Sequence, residues 1–226
     1  MPSTMISFRA NGRTAQGYLA TPSDRKGPGV LVIQEYWGLV DHIKDVADRF
    51  AREGFVALAP DLFHGEATRS PDQAGKMLMA LNIAEAGKDM RGAADALLTN
   101  DAVEPKKVAA VGFCMGGQLA LFAAQEHPDK VAAAVDFYGV HPNVKIDPAK
   151  LSVPVLAHFA KRDEYVKEED ARSLVQRLES AGKEVEAYFY DAGHAFFNDQ
   201  RPEAYDRASA EQAWERTLRF LREELR

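Results

Sequence analysis

The sequence predicts an α/β protein: a mostly parallel twisted sheet with helices on both faces and an antiparallel hairpin at the N-terminus. Three observations predict it. From Gly29 onward, short apolar runs alternate with amphipathic stretches, the pattern of strand–helix–strand units. The runs are apolar throughout, as expected of strands buried on both faces. Near the start, Asn11-Gly12 stands between two strand-like segments, and this pair tolerates positive φ at both central positions of a tight turn.

Each element follows from local signals. Met5–Ala10 and Thr14–Thr21 form the hairpin. Gly29–Gln34 is the first buried strand. Asp41–Glu53 reads as a helix because Ile43, Val46, Ala47 and Phe50 recur at helical spacing, with Gly54 as its stop. Phe55–Ala59 is a strand ending at Pro60. Asp61–Asn100 is helical with a loose start, and Ser70-Pro71 suits a helix beginning. Val108–Gly112 is strand and Met115–His127 is helix, stopped by Pro128. Val131–Tyr138, Val153–Ala160 and Val185–Tyr190 are further strands. Glu168–Ala181, stopped by Gly182, and Pro202–Leu225 are the last helices.

Composition narrows the function. The chain has 226 residues, and 28 basic against 34 acidic side chains give a net charge of −6. A chain this long buries roughly 70–75% of its unfolded surface. With no repeat or linker-like segment, one domain over residues 1–226 is expected. The acidic balance argues against nucleic acid as a partner. There is no signal-like start and no run of about 18 apolar residues, so a soluble cytoplasmic protein with no membrane contact is expected. Cys114 is the single cysteine, which excludes an internal disulfide and a multi-thiolate metal site. No metal cluster, phosphate-cradling loop or nucleotide fingerprint is present, so no cofactor is expected.

The chemistry concentrates at Gly112-Phe113-Cys114-Met115-Gly116-Gly117, between a strand and an Ala-rich helix. A nucleophile elbow needs small residues two before and two after the nucleophile, because the backbones approach closely. The turn would expose the Cys114 sulfur at the carboxyl edge of the sheet. It would aim the Met115 N–H at a developing oxyanion, with the helix N-terminus favouring the reactive thiolate. The competing reading is a structural cysteine beside packing glycines.

Asp163 follows the strand Val153–Ala160 in a charged loop, where Glu164 competes for the same role. His194 follows the last strand on a short Gly-His loop. Of the other histidines, His42 lies on a helix, His127 at a helix end and His158 inside a strand, while His64 and His141 follow strands and could border a pocket. The chain order Cys114, Asp163, His194 is the nucleophile–acid–histidine order of hydrolases with a G-x-S-x-G elbow. Each follows a separate strand, so all three converge on the edge where open parallel sheets place ligands. The loop Gln34-Glu35-Tyr36-Trp37-Gly38 opens on the same edge. The Tyr36 N–H can supply a second oxyanion donor. Glu35 is read either as a partner of the thiol, accepting its proton or restraining its ionisation, or as a carboxylate that holds the loop. Trp37 and Tyr138 are candidate pocket walls.

These residues resemble the dienelactone hydrolase family, a cysteine branch of the α/β-hydrolase fold. The likeness runs from Gly29 to the last helix. It is carried by Gln34-Glu35-x-x-Gly38, Pro60-Asp61-Leu62, the Cys114 elbow, Asp136-Phe137-Tyr138-Gly139, Asp163 and Gly193-His194. It implies a Cys114–His194–Asp163 triad, with Glu35 taking the thiol proton when substrate binds and Tyr36 and Met115 supplying oxyanion N–H groups. It further implies opening of an enol-lactone, 4-carboxymethylenebut-2-en-4-olide, to maleylacetate in aromatic compound degradation. In characterised members two arginines hold the substrate carboxylate, one after Pro-Asp-Leu and one four residues past the histidine. Here that second position is Asn198. Arg69 and Arg201 are the available substitutes. A carboxylesterase or thioesterase of the same mechanism is the alternative, and a non-catalytic thiol sensor a third reading. The partner is a small ester or lactone, and the protein a monomer or small homo-oligomer.

Overall fold

The structure, a computed structural model, describes residues 2–226. Its strands are β1 (Ser3–Ala10), β2 (Arg13–Ala20), β3 (Gly27–Ile33), β4 (Val56–Pro60), β5 (Val103–Phe113), β6 (Val131–Phe137), β7 (Val155–Ala160) and β8 (Val185–Tyr190). They form one eight-stranded sheet in the order β1-β2-β4-β3-β5-β6-β7-β8. β1 pairs antiparallel with β2 and β2 with β4, while every other pairing is parallel. At the hairpin tip Asn11 and Gly12 have φ of 52° and 72°, the two positive values that a tight turn matching strand twist requires.

The helices are α1 (Asp41–Arg52), α2 (Pro71–Ala80), α3 (Ile83–Thr99), α4 (Met115–Glu126), α5 (Glu168–Ser180) and α6 (Arg207–Glu224). Alternation along β3 sorts them into two layers. Val30 and Val32 join the core beneath α1 and α6, with Ile43, Val46, Phe50, Ala213 and Leu221. Leu31 and Ile33 join the opposite core beneath α3, α4 and α5, with Met90, Leu97, Leu119 and Leu174. Phe50 is fully buried, its ring 4.6 Å from that of Trp214, which ties α1 to α6. Burying such a ring contributes about 1.5–3 kcal/mol.

Several boundaries differ from the sequence expectation, each for a local reason. The helical stretch 61–100 is divided. Residues 61–70 form a turn in which the Asp61 carboxylate accepts from Phe63 N–H at 3.1 Å and Gly65 N–H at 2.6 Å. Two side-chain caps then start two helices: Ser70 accepts from Gln73 N–H at 3.4 Å and Asn82 from Glu85 N–H at 3.2 Å. The last helix begins at Arg207 and not at Pro202, because Asp206 caps it through Ser209 N–H at 2.9 Å. β7 begins after Pro154, which has no N–H for the ladder. β5 is longer than expected, its first part running through exposed Glu104, Pro105 and Lys106. No helix among the described residues is long and apolar enough to cross a membrane.

Candidate active site

The elbow is built by absent side chains. A Cβ on Gly112 would lie 1.7 Å from Gly116 O, and one on Gly117 would lie 2.0 Å from Asp136 Oδ1. Both contacts are far inside van der Waals range, so a larger residue would push α4 away from β5 at Gly112 and from β6 at Gly117. The turn forces Cys114 to φ 56°, ψ −122°, a conformation costing on the order of 1–3 kcal/mol for a residue with a side chain. Its N–H donates to Phe137 O at 3.0 Å, and its carbonyl accepts from Gly117 N–H at 3.0 Å. Asp136 is fully buried behind the elbow. Burial pushes its carboxyl well up, and the Gly139 N–H, at 2.8 Å from Oδ1, only partly opposes that.

The carboxyl edge of five adjacent strands carries the site. Glu35 follows β3, Cys114 β5, Tyr138 β6, Asp163 β7 and His194 β8. His194 Nδ1 lies 2.8 Å from Asp163 Oδ2. The other oxygen, Oδ1, accepts from Tyr165 N–H and Val166 N–H at 2.8 Å each. Asp163 is thus fixed by its own loop while Glu164 stays exposed, which settles which acid meets the imidazole. Burial disfavours the imidazolium. Hydrogen bonds to Asp163 and Cys114, with the fields of both, outweigh it and lift His194 to about 10.

A 210 Å³ cleft opens over Cys114, with Glu35, Tyr36, Trp37, Tyr138, His194 and Arg201 in its walls. Neither the Tyr36 nor the Met115 N–H has an acceptor among the described residues, so both are free for an oxyanion. Glu35 is almost fully buried; its Oε2 accepts from Asn198 Nδ2 at 2.9 Å and its Oε1 has no partner. The carboxylate therefore shares the cleft with Cys114 while tied to Asn198, and no hydrogen bond to the thiol is formed.

The arginine candidates separate. Arg201 borders the cleft, pairs with Glu203 at 2.9 Å and lies over the Trp37 ring at 5.2 Å. Arg69 does not reach it. The neighbouring Thr68 N–H is tied to the Trp37 carbonyl at 3.0 Å. Arg69 instead lines a second, 570 Å³ cleft with Lys44, His42 and Asn198, which holds no nucleophile.

Of the two histidines expected at a pocket edge, His141 lines the catalytic cleft. His64 instead meets Asp89 Oδ2 at 3.3 Å beside Arg13. His158 is a satisfied core residue, bonded to Tyr190 and Thr217 at 2.9 and 3.0 Å; burial first, then Arg216, lowers it to about 3. Sequence reasoning missed the bond between Asn198 and Glu35, and Tyr165, whose ring lies 4.9 Å from that of His194. Among the described residues no cluster of three or more His, Cys, Asp or Glu is arranged to hold a metal ion.

A doubly covered, mostly parallel sheet, a strained cysteine at a strand-to-helix turn and an acid–histidine pair on later strands together define an α/β-hydrolase. Comparison with known proteins narrows this. The sequence profile of the dienelactone hydrolase family matches residues 15–225, and the chain belongs to that family. It is a hydrolase of the carboxylic ester class. Protein usf of Aquifex pyrophilus is 37% identical over 228 residues, covering 98% of each chain. A protein of Aquifex aeolicus, provisionally named a carboxymethylenebutenolidase, is 34% identical over 96% of this chain and 97% of its own. Among solved structures, one provisionally named a dienelactone hydrolase, from Klebsiella pneumoniae, superposes with a TM-score of 0.87 at 26% identity, covering 96% of each chain.

Proposed function

We propose that this hydrolase opens small activated esters and enol-lactones through a thioester on Cys114, with 4-carboxymethylenebut-2-en-4-olide, giving maleylacetate, as the first substrate to test. The observation that carries the reading is the 2.8 Å Asp163–His194 pair, whose imidazole lines the same cleft as Cys114. Cys114 passes its thiol proton to His194, and the resulting thiolate attacks the carbonyl carbon as the carbonyl π pair moves onto oxygen. The carbonyl oxygen, now negative, takes hydrogen bonds from the Tyr36 and Met115 N–H groups and the field of the α4 N-terminus. The adduct collapses, the ester C–O bond breaks, and the leaving oxygen takes the His194 proton. Water then attacks the thioester, giving its proton to His194, and the acid departs as the thiol is restored.

The electrostatics favour this order. Before acylation both Asp163 and Cys114 support the imidazolium. After acylation the sulfur carries no charge, so only Asp163 supports it. His194 then holds a proton less firmly and becomes a better base for water.

A thiolate leaves a tetrahedral adduct readily, so the leaving group must compete. Enol and aryl esters do, and amides do not. The cleft, at 210 Å³, lies below the usual ~300–1,000 Å³ of drug-sized sites and suits small substrates. Arg201 borders the cleft, which supports it as the cation for a substrate carboxylate.

The test is steady-state hydrolysis of cis- and trans-dienelactone beside an aryl acetate, by the wild type and Cys114→Ala. Dienelactone turnover lost in the variant supports the whole reading. Aryl acetate turnover alone retains the thioester mechanism and removes that substrate. Stoichiometric modification of Cys114 without turnover removes the catalytic role altogether.

A further inference from the structure

Tyr138 is a residue of the cleft that the mechanism above leaves unused, and it is unusual in three ways. It is fully buried, yet its hydroxyl has no hydrogen-bond partner. It adopts φ 48°, a left-handed conformation that is an outlier for a bulky side chain. It lies against the reacting groups, its ring 5.1 Å and nearly edge-on from that of His194, and it lines the cleft above Cys114.

The strain is imposed by the sheet. Tyr138 N–H donates to His158 O at 2.8 Å, just as Cys114 N–H donates to Phe137 O. The parallel ladder therefore runs one residue past the ends of β5 and β6, holding Cys114 and Tyr138 side by side on adjacent strands. A buried donor without an acceptor is costly, and a phenylalanine would fill the same space without that cost. The orphaned hydroxyl gives the free protein nothing, which points to an acceptor that arrives with the substrate.

Elimination identifies that acceptor. The cleft has two N–H groups free for the carbonyl oxygen, those of Tyr36 and Met115. Every ester or lactone carries one other oxygen beside the attacked carbon, the alkoxy or ring oxygen of the leaving group. Resting on the thioester reading, we propose that Tyr138 is a further catalytic residue, whose hydroxyl hydrogen-bonds the leaving-group oxygen as the tetrahedral adduct collapses. The C–O electron pair passes to that oxygen. His194 supplies the proton, and Tyr138 keeps its own while stabilising the developing charge. Burial first, then the charges of Glu35, Cys114 and Asp163, push the phenol well above its ordinary value, so it remains a donor throughout the working pH range.

The test is Tyr138→Phe, read by kcat/KM on p-nitrophenyl, phenyl and trifluoroethyl acetates and by Tm, beside wild type and Cys114→Ala. The expected result is a graded loss. It is within twofold for p-nitrophenyl acetate and on the order of 10²-fold for the trifluoroethyl ester, comparable to removing one oxyanion donor. Tm stays equal or rises, because an unpartnered buried polar group has been removed. An equal loss on all three esters, no loss on any, or a lower Tm would overturn the proposal. Turnover that dies with Cys114→Ala yet ignores Tyr138→Phe leaves the thioester mechanism standing without a role for Tyr138. Wild-type inactivity on every ester overturns both.

Discussion

Replacing Asp163 by Asn tests the core of the site with almost no change of shape. Asp163 Oδ1 accepts two backbone N–H groups of its own loop, and an amide oxygen can do the same. The amide nitrogen then faces His194 Nδ1, where the carboxylate Oδ2 now sits at 2.8 Å. An NH₂ can only donate, so it forces Nδ1 to be the acceptor and places the ring proton on the nitrogen that should act as base. Where a buried acid–histidine pair has been inverted in this way, kcat falls about 10⁴-fold, or roughly 5.5 kcal/mol of transition-state stabilisation. The imidazole should also titrate well below its present value of about 10, because the strongest contact raising it has gone. The sign for stability follows. A group raised from 6.5 to about 10 on folding stabilises the fold fully below pH 6.5, and that stabilisation is lost as pH rises toward 10. Wild-type Tm should therefore fall more than that of Asp163→Asn between pH 6.5 and 10. The assays are aryl acetate kcat, Tm against pH, and imidazole NMR titration. Activity within threefold of wild type, with an unchanged titration, would show that the 2.8 Å contact does not govern the histidine.

Other perturbations follow from the same contacts. Cys114→Ala should abolish ester turnover and lower the His194 titration, since one of its two supporting partners is removed; NMR and rate assays on one sample check both. Asn198→Ala leaves the buried Glu35 carboxylate without a partner for either oxygen, and should destabilise by about 1–3 kcal/mol in urea unfolding. Arg201→Ala should raise KM for a carboxylate-bearing lactone and leave that for a neutral aryl acetate within twofold; Arg69→Ala should change neither, because it lines the other cleft. Gly117→Ala drives a Cβ to 2.0 Å from Asp136 Oδ1, and should lower stability by about 1–3 kcal/mol or more.

The parts of the molecule governed by short-range rules were legible in the sequence. Asn11-Gly12 specifies a turn whatever surrounds it, and Gly112, Gly116 and Gly117 around one cysteine specify an elbow. The order of Cys114, Asp163 and His194 placed all three on one sheet edge because each follows a strand. What stayed hidden depends on which side of a neighbour a chain passes. Arg69 and Arg201 look alike in sequence, and only the folded chain shows that Arg201 borders the cleft over Cys114 while Arg69 does not. His64 could equally have faced the cleft; its capture by Asp89 across 25 residues of sequence separation has no local signal. The start of α6 was misread because Pro202 is a good first-turn residue, whereas Asp206 holds the real cap. Asn198 shows the same limit: its type says nothing, and its bond to Glu35 requires the fold to be assembled.

Backbone strain marks the site independently of any side-chain chemistry. Among the described residues the positive-φ positions that are not glycine are Asn11, His64, Cys114, Tyr138 and Ala195. Asn11 is the hairpin turn, and asparagine tolerates that conformation. Cys114, Tyr138 and Ala195 all line the catalytic cleft, at the carboxyl ends of β5, β6 and β8. Each costs on the order of 1–3 kcal/mol, and at Cys114 and Tyr138 the last ladder hydrogen bonds, to Phe137 O and His158 O, hold the strained backbone in place. The strain is maintained by the surrounding packing, with Phe113, Phe137 and Phe196 fully buried and Phe113 stacked on Phe137 at 4.7 Å. This concentration fits a rigid site that holds a sulfur, a phenol and an imidazole around one small volume. It also separates the two uses of a buried residue in this protein. His158 satisfies both ring nitrogens within the fold, so its polar atoms are spent on stability. The Tyr138 hydroxyl and Glu35 Oε1 are as deeply buried, have no partner within the described residues, and belong to side chains that line the cleft over Cys114.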